Sequence, residues 1–262
     1  MRISWKLGRV AGIDLFLHPT FLLLLIFAAV SGGGFWAVAL TVAVFVCVLL
    51  HEFGHALTAR GFGIETEDIT IYPIGGLARL RRMPRSPKAE LLITLAGPAV
   101  NVVIAAALAS VLMLVLAVGS GPSGALIASA VGQLMWINVG LAVFNMLPIF
   151  PMDGGRVLRA GLSAWLGRVR ATEIAVTLGR VLAVVLGVAF FMAFGLSIQL
   201  LLPVFLYIAA GAERNGVLAE ERHRQGPSAG VWTAPPGYHW VNRGSGAWQL
   251  VAVQDSPHQS WN

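Results

Sequence analysis

Residues 35–60 read FWAVALTVAVFVCVLLHEFGHALTAR, an unbroken apolar run that ends in three ionisable side chains, His51, Glu52 and His55, just before Arg60. The run is long enough to cross a bilayer, whose hydrocarbon core of about 30 Å needs roughly 20 apolar residues in a helix. At 3.6 residues per turn, positions i and i+4 share a helix face, so His51 and His55 can converge on one metal ion while Glu52 stands one step around. An ionisable group at membrane depth costs about 2.5–3.5 kcal/mol on insertion scales, so three in one apolar helix call for a compensating partner. A bound zinc ion would supply one. The bland alternative is a pair of hydrogen-bonded packing histidines. Cys47 lies one turn before His51, but a thiol about 6 Å up the axis is too far to share an ion with both histidines and reads as packing.

The rest of the chain fits a membrane setting. Of the 262 residues, 57% are hydrophobic and 11% charged, less than half of what a soluble surface of this size carries. The net charge of +6 is no nucleic-acid footprint, because the basic residues border apolar runs instead of forming one face. A single cysteine excludes an internal disulfide. Apolar runs near 15–30, 35–59, 89–118, 124–148, 172–194 and 197–212 predict about six transmembrane helices. All 18 lysines and arginines avoid the three predicted outer turns, near 31–34, 119–123 and 195–197, which predicts an even number of crossings with both termini cytoplasmic. Arg180, inside the fifth run, reads as an interfacial anchor. Residues 64–82 alternate apolar and polar side chains around Gly75-Gly76, which predicts a small membrane-associated β element between the second and third helices. The predicted organisation is a membrane domain over 1–215 and a poorly ordered cytoplasmic tail over 216–262, with Trp232, Trp240 and Trp248 in the tail.

A third metal ligand must come from elsewhere in the chain. The acidic residue with the most unusual backbone context is Asp153, in NMLPIFPMDGG (145–155). Pro148 and Pro151 forbid a regular helix there, and lipid tolerates irregular backbone only where it is buried in protein or lines a wet cavity. Asn145 stands just before the break. Asn101 and Asn138, inside apolar runs, read as interhelical hydrogen-bonding residues.

Taken together, HEFGH, the LAGPAVN of residues 95–101 and NMLPIFPMDGGRVLR from 145 resemble the site-2 protease family of intramembrane zinc metalloproteases, as does Gly12-Ile13 through His18-Pro19-Thr20. The resemblance spans about residues 8–215. It implies that His51, His55 and Asp153 hold zinc, that Glu52 is the catalytic base, and that Asn145 positions substrate or helps stabilise the oxyanion. It also implies that the Gly75 and Gly76 segment receives substrate. The expected substrate is the transmembrane segment of a membrane-anchored regulator, such as an anti-sigma factor, in a bacterial or archaeal cell membrane. From these 262 residues, neither the PDZ nor the CBS modules of some relatives are expected. From the residues alone, a zinc-binding transporter or sensor stays open as the alternative.

Overall fold

The computed structural model describes residues 4–82, 84, 86–119, 121–225, 234–242 and 248–252. They divide into two compact units, Met1–Ala210 and Gly211–Asn262. The first unit opens with two strands, β1 (Trp5–Val10) and β2 (Ile13–Leu17). They are joined at Ala11 and Gly12, whose φ angles of 50° and 82° give the left-handed pair that suits a two-residue hairpin. The helix predicted to start at residue 15 therefore begins as a strand, and α1 is confined to Thr20–Ala28. A run of apolar residues cannot by itself separate a buried strand from a helix.

After α1 comes a wide turn at Ala29–Gly33 and then α2 (Gly34–Gly61). Gly32 and Gly34 have φ of 90° and 51°, which a helix cannot continue through. Phe21 and Phe45 then meet edge to face with ring centroids 4.6 Å apart, so α1 folds back along α2 at these glycines. The remaining elements of the unit are β3 (Thr66–Tyr72), β4 (Gly75–Leu80), α3 (Pro87–Val118), α4 (Pro122–Asn145), α5 (Asp153–Leu166), α6 (Arg168–Phe194) and the start of α7 (Leu201–Gln225).

Among the described residues, four helical stretches are long and apolar enough to cross a membrane: Thr20–Gly61, Pro87–Val118, Pro122–Asn145 and Arg168–Phe194. The described residues thus show four of the six expected. At nine residues α1 is about 14 Å long, half the hydrocarbon thickness, and the apolar part of α7 stops at Glu213. Val103, Met113, Leu114 and Val118 of α3 are each more than 60% exposed, a surface that water disfavours and lipid accepts.

The strands form one sheet in the order β1-β2-β3-β4, with only β2 and β3 parallel. The predicted β element between α2 and α3 is thus half of a sheet whose other half comes from the N-terminus. Ile13, Leu15 and Ile69 on one face pack on Ala56 of α2, with Leu49 and Phe53 beside them. Burying each isoleucine is worth about 1.5–3 kcal/mol, which clamps the sheet to the inner end of α2 where the histidines lie. Helix α3 crosses α2 almost backbone to backbone, for a Cβ on Gly54 would come within 2.7 Å of the Ala96 carbonyl oxygen.

Between α4 and α5, residues 146–152 form no regular element, as Pro148 and Pro151 require. Ile149 and Met152 are buried against Ala183 and Leu206, while Phe150 packs with Ala175, Val176 and Ala210. A Cβ on Gly154 would collide with the carbonyls of Met146 and Leu147, so only glycine lets α5 start so close beneath the end of α4. The Arg180 guanidinium lies 4.9 Å above the Tyr207 ring, so besides any interfacial role it ties α6 to α7.

In the second unit, α7 continues to Gln225, and β5 (Tyr238–Asn242) pairs antiparallel with β6 (Trp248–Ala252). The tail expected to be poorly ordered thus carries a hairpin in its described part, where Tyr238, Trp240, Val241, Trp248, Leu250 and Val251 supply strand-forming side chains. Trp232 lies outside the described residues.

Candidate active site

Helix α2 presents His51 and His55 one turn apart on the face that α3 covers, with rings at 85° to each other. Their Nε2 atoms are 3.1 Å apart, and each lies 3.2 Å from Oδ2 of Asp153, the first residue of α5. The two histidines and the aspartate, 98 residues further on from His55, therefore close a nearly equilateral triangle of ligand atoms. Among the described residues it is the one cluster of such groups with metal-binding geometry.

The chemistry of the donor set fits a cation. His55 Nδ1 donates to the Ile93 carbonyl at 2.8 Å, and because a carbonyl only accepts, a neutral His55 carries its hydrogen there and aims a lone pair from Nε2. Asp153 Oδ2 is buried with no hydrogen-bond donor. A lone pair and a carboxylate oxygen facing each other repel unless a positive ion sits between them. A tetrahedral zinc ion with bonds of about 2.0–2.1 Å spaces its ligands about 3.3–3.4 Å apart, close to the triangle observed. Two nitrogens and one carboxylate oxygen are the ligand types of a catalytic zinc site, which leaves its fourth position open.

Gly97 of α3 roofs the triangle: a Cβ there would sit 2.7 Å from His51 Nε2 and closer still to His55 Nε2. In sequence, Gly97 was only part of the LAGPAVN motif, and nothing local marks it as lining a metal centre. Glu52 is half-buried beside the triangle and contributes no atom to it. Gly76 makes room for it, since a Cβ on Gly76 would lie 2.6 Å from Glu52 Cγ. Gly75 and Gly76 are not the turn itself, which is Pro73-Ile74, but the first two residues of β4, opposite Tyr72 and Ile71. Asn145 ends α4, where its amide donates to the Leu141 carbonyl of its own helix at 2.9 Å.

Two sets of buried polar residues support the triangle. Asn101 and Asn138, both 0% exposed, connect α3 to α4 behind His51, and Cys47 packs beside them with Sγ 3.4 Å from Asn138 Nδ2. Glu90 of α3 accepts from Arg159 of α5 at 2.8 Å, and the same guanidinium lies over Phe150. That buried pair ties α5, and with it Asp153, to the helix that roofs the histidines. Sequence reading passed over Glu90 because Lys88 and Ser86 beside it make an ordinary interfacial helix start.

Comparison with known proteins points the same way. Residues 39–125 and 116–186 match the family model described as Peptidase family M50. The chain is 34% identical over 247 residues to the zinc metalloprotease MJ0392 of Methanocaldococcus jannaschii, covering 91% of this chain and 68% of that one. It is 28% identical over 113 residues to the stage IV sporulation protein FB of Bacillus subtilis, covering 42% of this chain and 36% of that one. Among solved structures, the site-2 protease from Methanocaldococcus jannaschii superposes with a TM-score of 0.60 at 33% identity, over 80% of this chain and 95% of that one.

Proposed function

The chain belongs to peptidase family M50 and is a zinc metalloprotease of the site-2 protease kind, and from that premise we propose that it hydrolyses a peptide bond within or near the transmembrane segment of a membrane-anchored regulator. The observation that carries this reading is the convergence of His51, His55 and Asp153, with Glu52 next to His51 on a helix long and apolar enough to cross a membrane. With Arg60 at the inner interface, the two histidines lie about 7–14 Å below it along the axis of α2. Soluble peptides seldom reach that depth, whereas a transmembrane helix arrives by lateral diffusion. An anti-sigma factor is one regulator of this kind. The distribution of basic residues favours cytoplasmic termini.

His51, His55 and Asp153 would hold the metal, and a zinc ion held there would supply Lewis-acid polarisation of the scissile carbonyl and a water acidic enough to lose a proton near neutral pH. Glu52 accepts that proton as the water oxygen bonds to the carbonyl carbon, then delivers it to the departing amine nitrogen as the C–N bond breaks. Asn145 Nδ2, once released from the Leu141 carbonyl, donates to the developing oxyanion, a contribution of about 2.7–4 kcal/mol for donors of this type.

A helical substrate must unwind first, because its carbonyls are tied in i to i−4 bonds. β4 is an outer strand of the sheet, and its Gly76 lies against Glu52, so an unwound segment added along β4 is led to the base with its backbone satisfied. Proline at whichever of Leu77 and Ala78 turns its N–H outward is expected to lower cleavage roughly tenfold or more while zinc content stays unchanged. Undiminished turnover in that variant rejects the strand-addition step.

The reading as a whole is tested with purified protein and a model transmembrane substrate. Stoichiometric zinc is expected, cleavage should stop when a chelator strips it, and adding zinc back should restore it. Cleavage that survives in demonstrably zinc-free protein excludes the proposed chemistry.

A further inference from the structure

We propose that Asn138, which reaches His51 only through Asn101, is a positioning residue that selects the tautomer of His51 and so prepares its Nε2 for zinc. Three hydrogen bonds run in series across α2, α3 and α4. His51 Nδ1 meets Asn101 Oδ1 at 2.5 Å, Asn101 Nδ2 meets Asn138 Oδ1 at 3.0 Å, and Asn138 Nδ2 meets the Leu134 carbonyl at 2.9 Å. The direction of the series follows from its far end. A backbone carbonyl cannot donate, so the group of Asn138 that faces Leu134 is its NH2. Its oxygen then points at Asn101 and must receive a hydrogen, which turns the NH2 of Asn101 toward it. The Asn101 oxygen is left facing His51, and it can only accept. His51 accordingly carries its hydrogen on Nδ1 and leaves the Nε2 lone pair free toward His55 and Asp153.

Burial is what makes the series decisive. Asn101 and Asn138 are fully enclosed, so no water is at hand to satisfy either amide in a reversed orientation. His55 obtains the same tautomer directly from the Ile93 carbonyl. His51 lies nearer the membrane interior, and its fixed acceptor is the Leu134 carbonyl, relayed through two side-chain amides.

The inference rests on the reading of His51 as a zinc ligand. The test uses the full chain and the variants Asn138→Leu and Asn101→Asp/Asn138→Leu, with zinc affinity measured by chelator competition. Leucine keeps the branched four-atom shape of the side chain at 138 and removes the amide, so Asn101 can present its NH2 or its oxygen to His51. Zinc affinity is expected to fall about 10- to 100-fold, the usual range for losing an outer hydrogen-bond partner of a metal ligand. An aspartate at 101 offers His51 an acceptor oxygen whichever way it turns, so the double variant is expected to recover to within about threefold of wild type. In zinc-free protein, the 15N-histidine spectrum should show one His51 tautomer in wild type and in the double variant, and a mixture in Asn138→Leu. Wild-type affinity in Asn138→Leu overturns the proposal. So does a double variant no tighter than the single one, which is the pattern of general packing damage between α3 and α4. A wild-type protein that takes up no zinc overturns the metal-site reading together with this one, whereas normal uptake with an unaffected Asn138→Leu removes only the relay.

Discussion

Alanine in place of Gly97 is expected to abolish stoichiometric zinc binding, and cleavage with it. The added methyl would stand 2.7 Å from His51 Nε2 and nearer to His55 Nε2, inside the space the metal itself needs. Relief would require the rings or the helix to move, and neither is free. His51 is held at Nδ1 by Asn101 and His55 by the Ile93 carbonyl. Helix α3 cannot withdraw without opening the crossing at Gly54 and Ala96, where the backbones already touch. The expected loss of zinc affinity exceeds the roughly hundredfold that losing an outer partner costs. Metal analysis checks it, with Gly140→Ala as the control: nothing lies within 4 Å of a Cβ there, so that variant should bind zinc normally and gain up to about 1 kcal/mol of helix stability. Normal zinc content in Gly97→Ala would show that the imidazoles converge on no ion beneath that residue.

Glutamine at position 52 is expected to do the opposite, retaining zinc while slowing cleavage by about 10²- to 10⁴-fold, the range general acid–base groups contribute. Glu52 is next to His51 in the chain but stands 100° around the helix, so its carboxylate lies outside the triangle of ligand atoms. The amide has the same shape and fits the same space beside Gly76, yet it cannot accept a proton from water. Affinity for zinc and turnover of a model transmembrane substrate are to be measured on the same preparation. Full turnover would remove Glu52 from the mechanism. A zinc transporter or sensor has no need of a base here, so the size of the rate loss also discriminates between those classes.

How much of this was legible in one dimension depends on how far apart the interacting residues lie along the chain. His51, Glu52 and His55 are close neighbours, and the helical period alone puts the two imidazoles on one face. The break before Asp153 was legible for an equally local reason, since two prolines within four positions cannot continue a helix. The start of the first span was misread because Leu15–Leu17, the end of β2, continues into an apolar run and passes for membrane helix, while the partners of that strand, β1 and β3, are fixed only by pairing. Gly97 was noticed as part of a motif without its role. That role exists only because α3 crosses α2 at one particular turn.

The buried polar residues show the same division. Glu90 and Arg159 are 69 positions apart, and neither looks unusual beside its immediate neighbours. Enclosed together, they become a constraint on α5, because removing one partner of a buried pair costs about 3–5 kcal/mol. Asn101 and Asn138 could be read as interhelical hydrogen-bonding residues, but not as a directed series ending on His51. That direction comes from a backbone carbonyl on a third helix.

Local order along the chain by itself determined the membrane setting, the paired imidazoles with their neighbouring carboxylate, and the irregular segment that delivers Asp153, because each depends on side-chain periodicity or backbone chemistry within a few residues. Only the tertiary structure decided that Asp153 Oδ2 comes within 3.2 Å of both histidines, that Gly97 leaves the space above them, and that Gly76 brings the edge of a sheet to Glu52. Those are distances between segments tens of residues apart, set by how α2, α3, α5 and the sheet pack, and no local pattern encodes them.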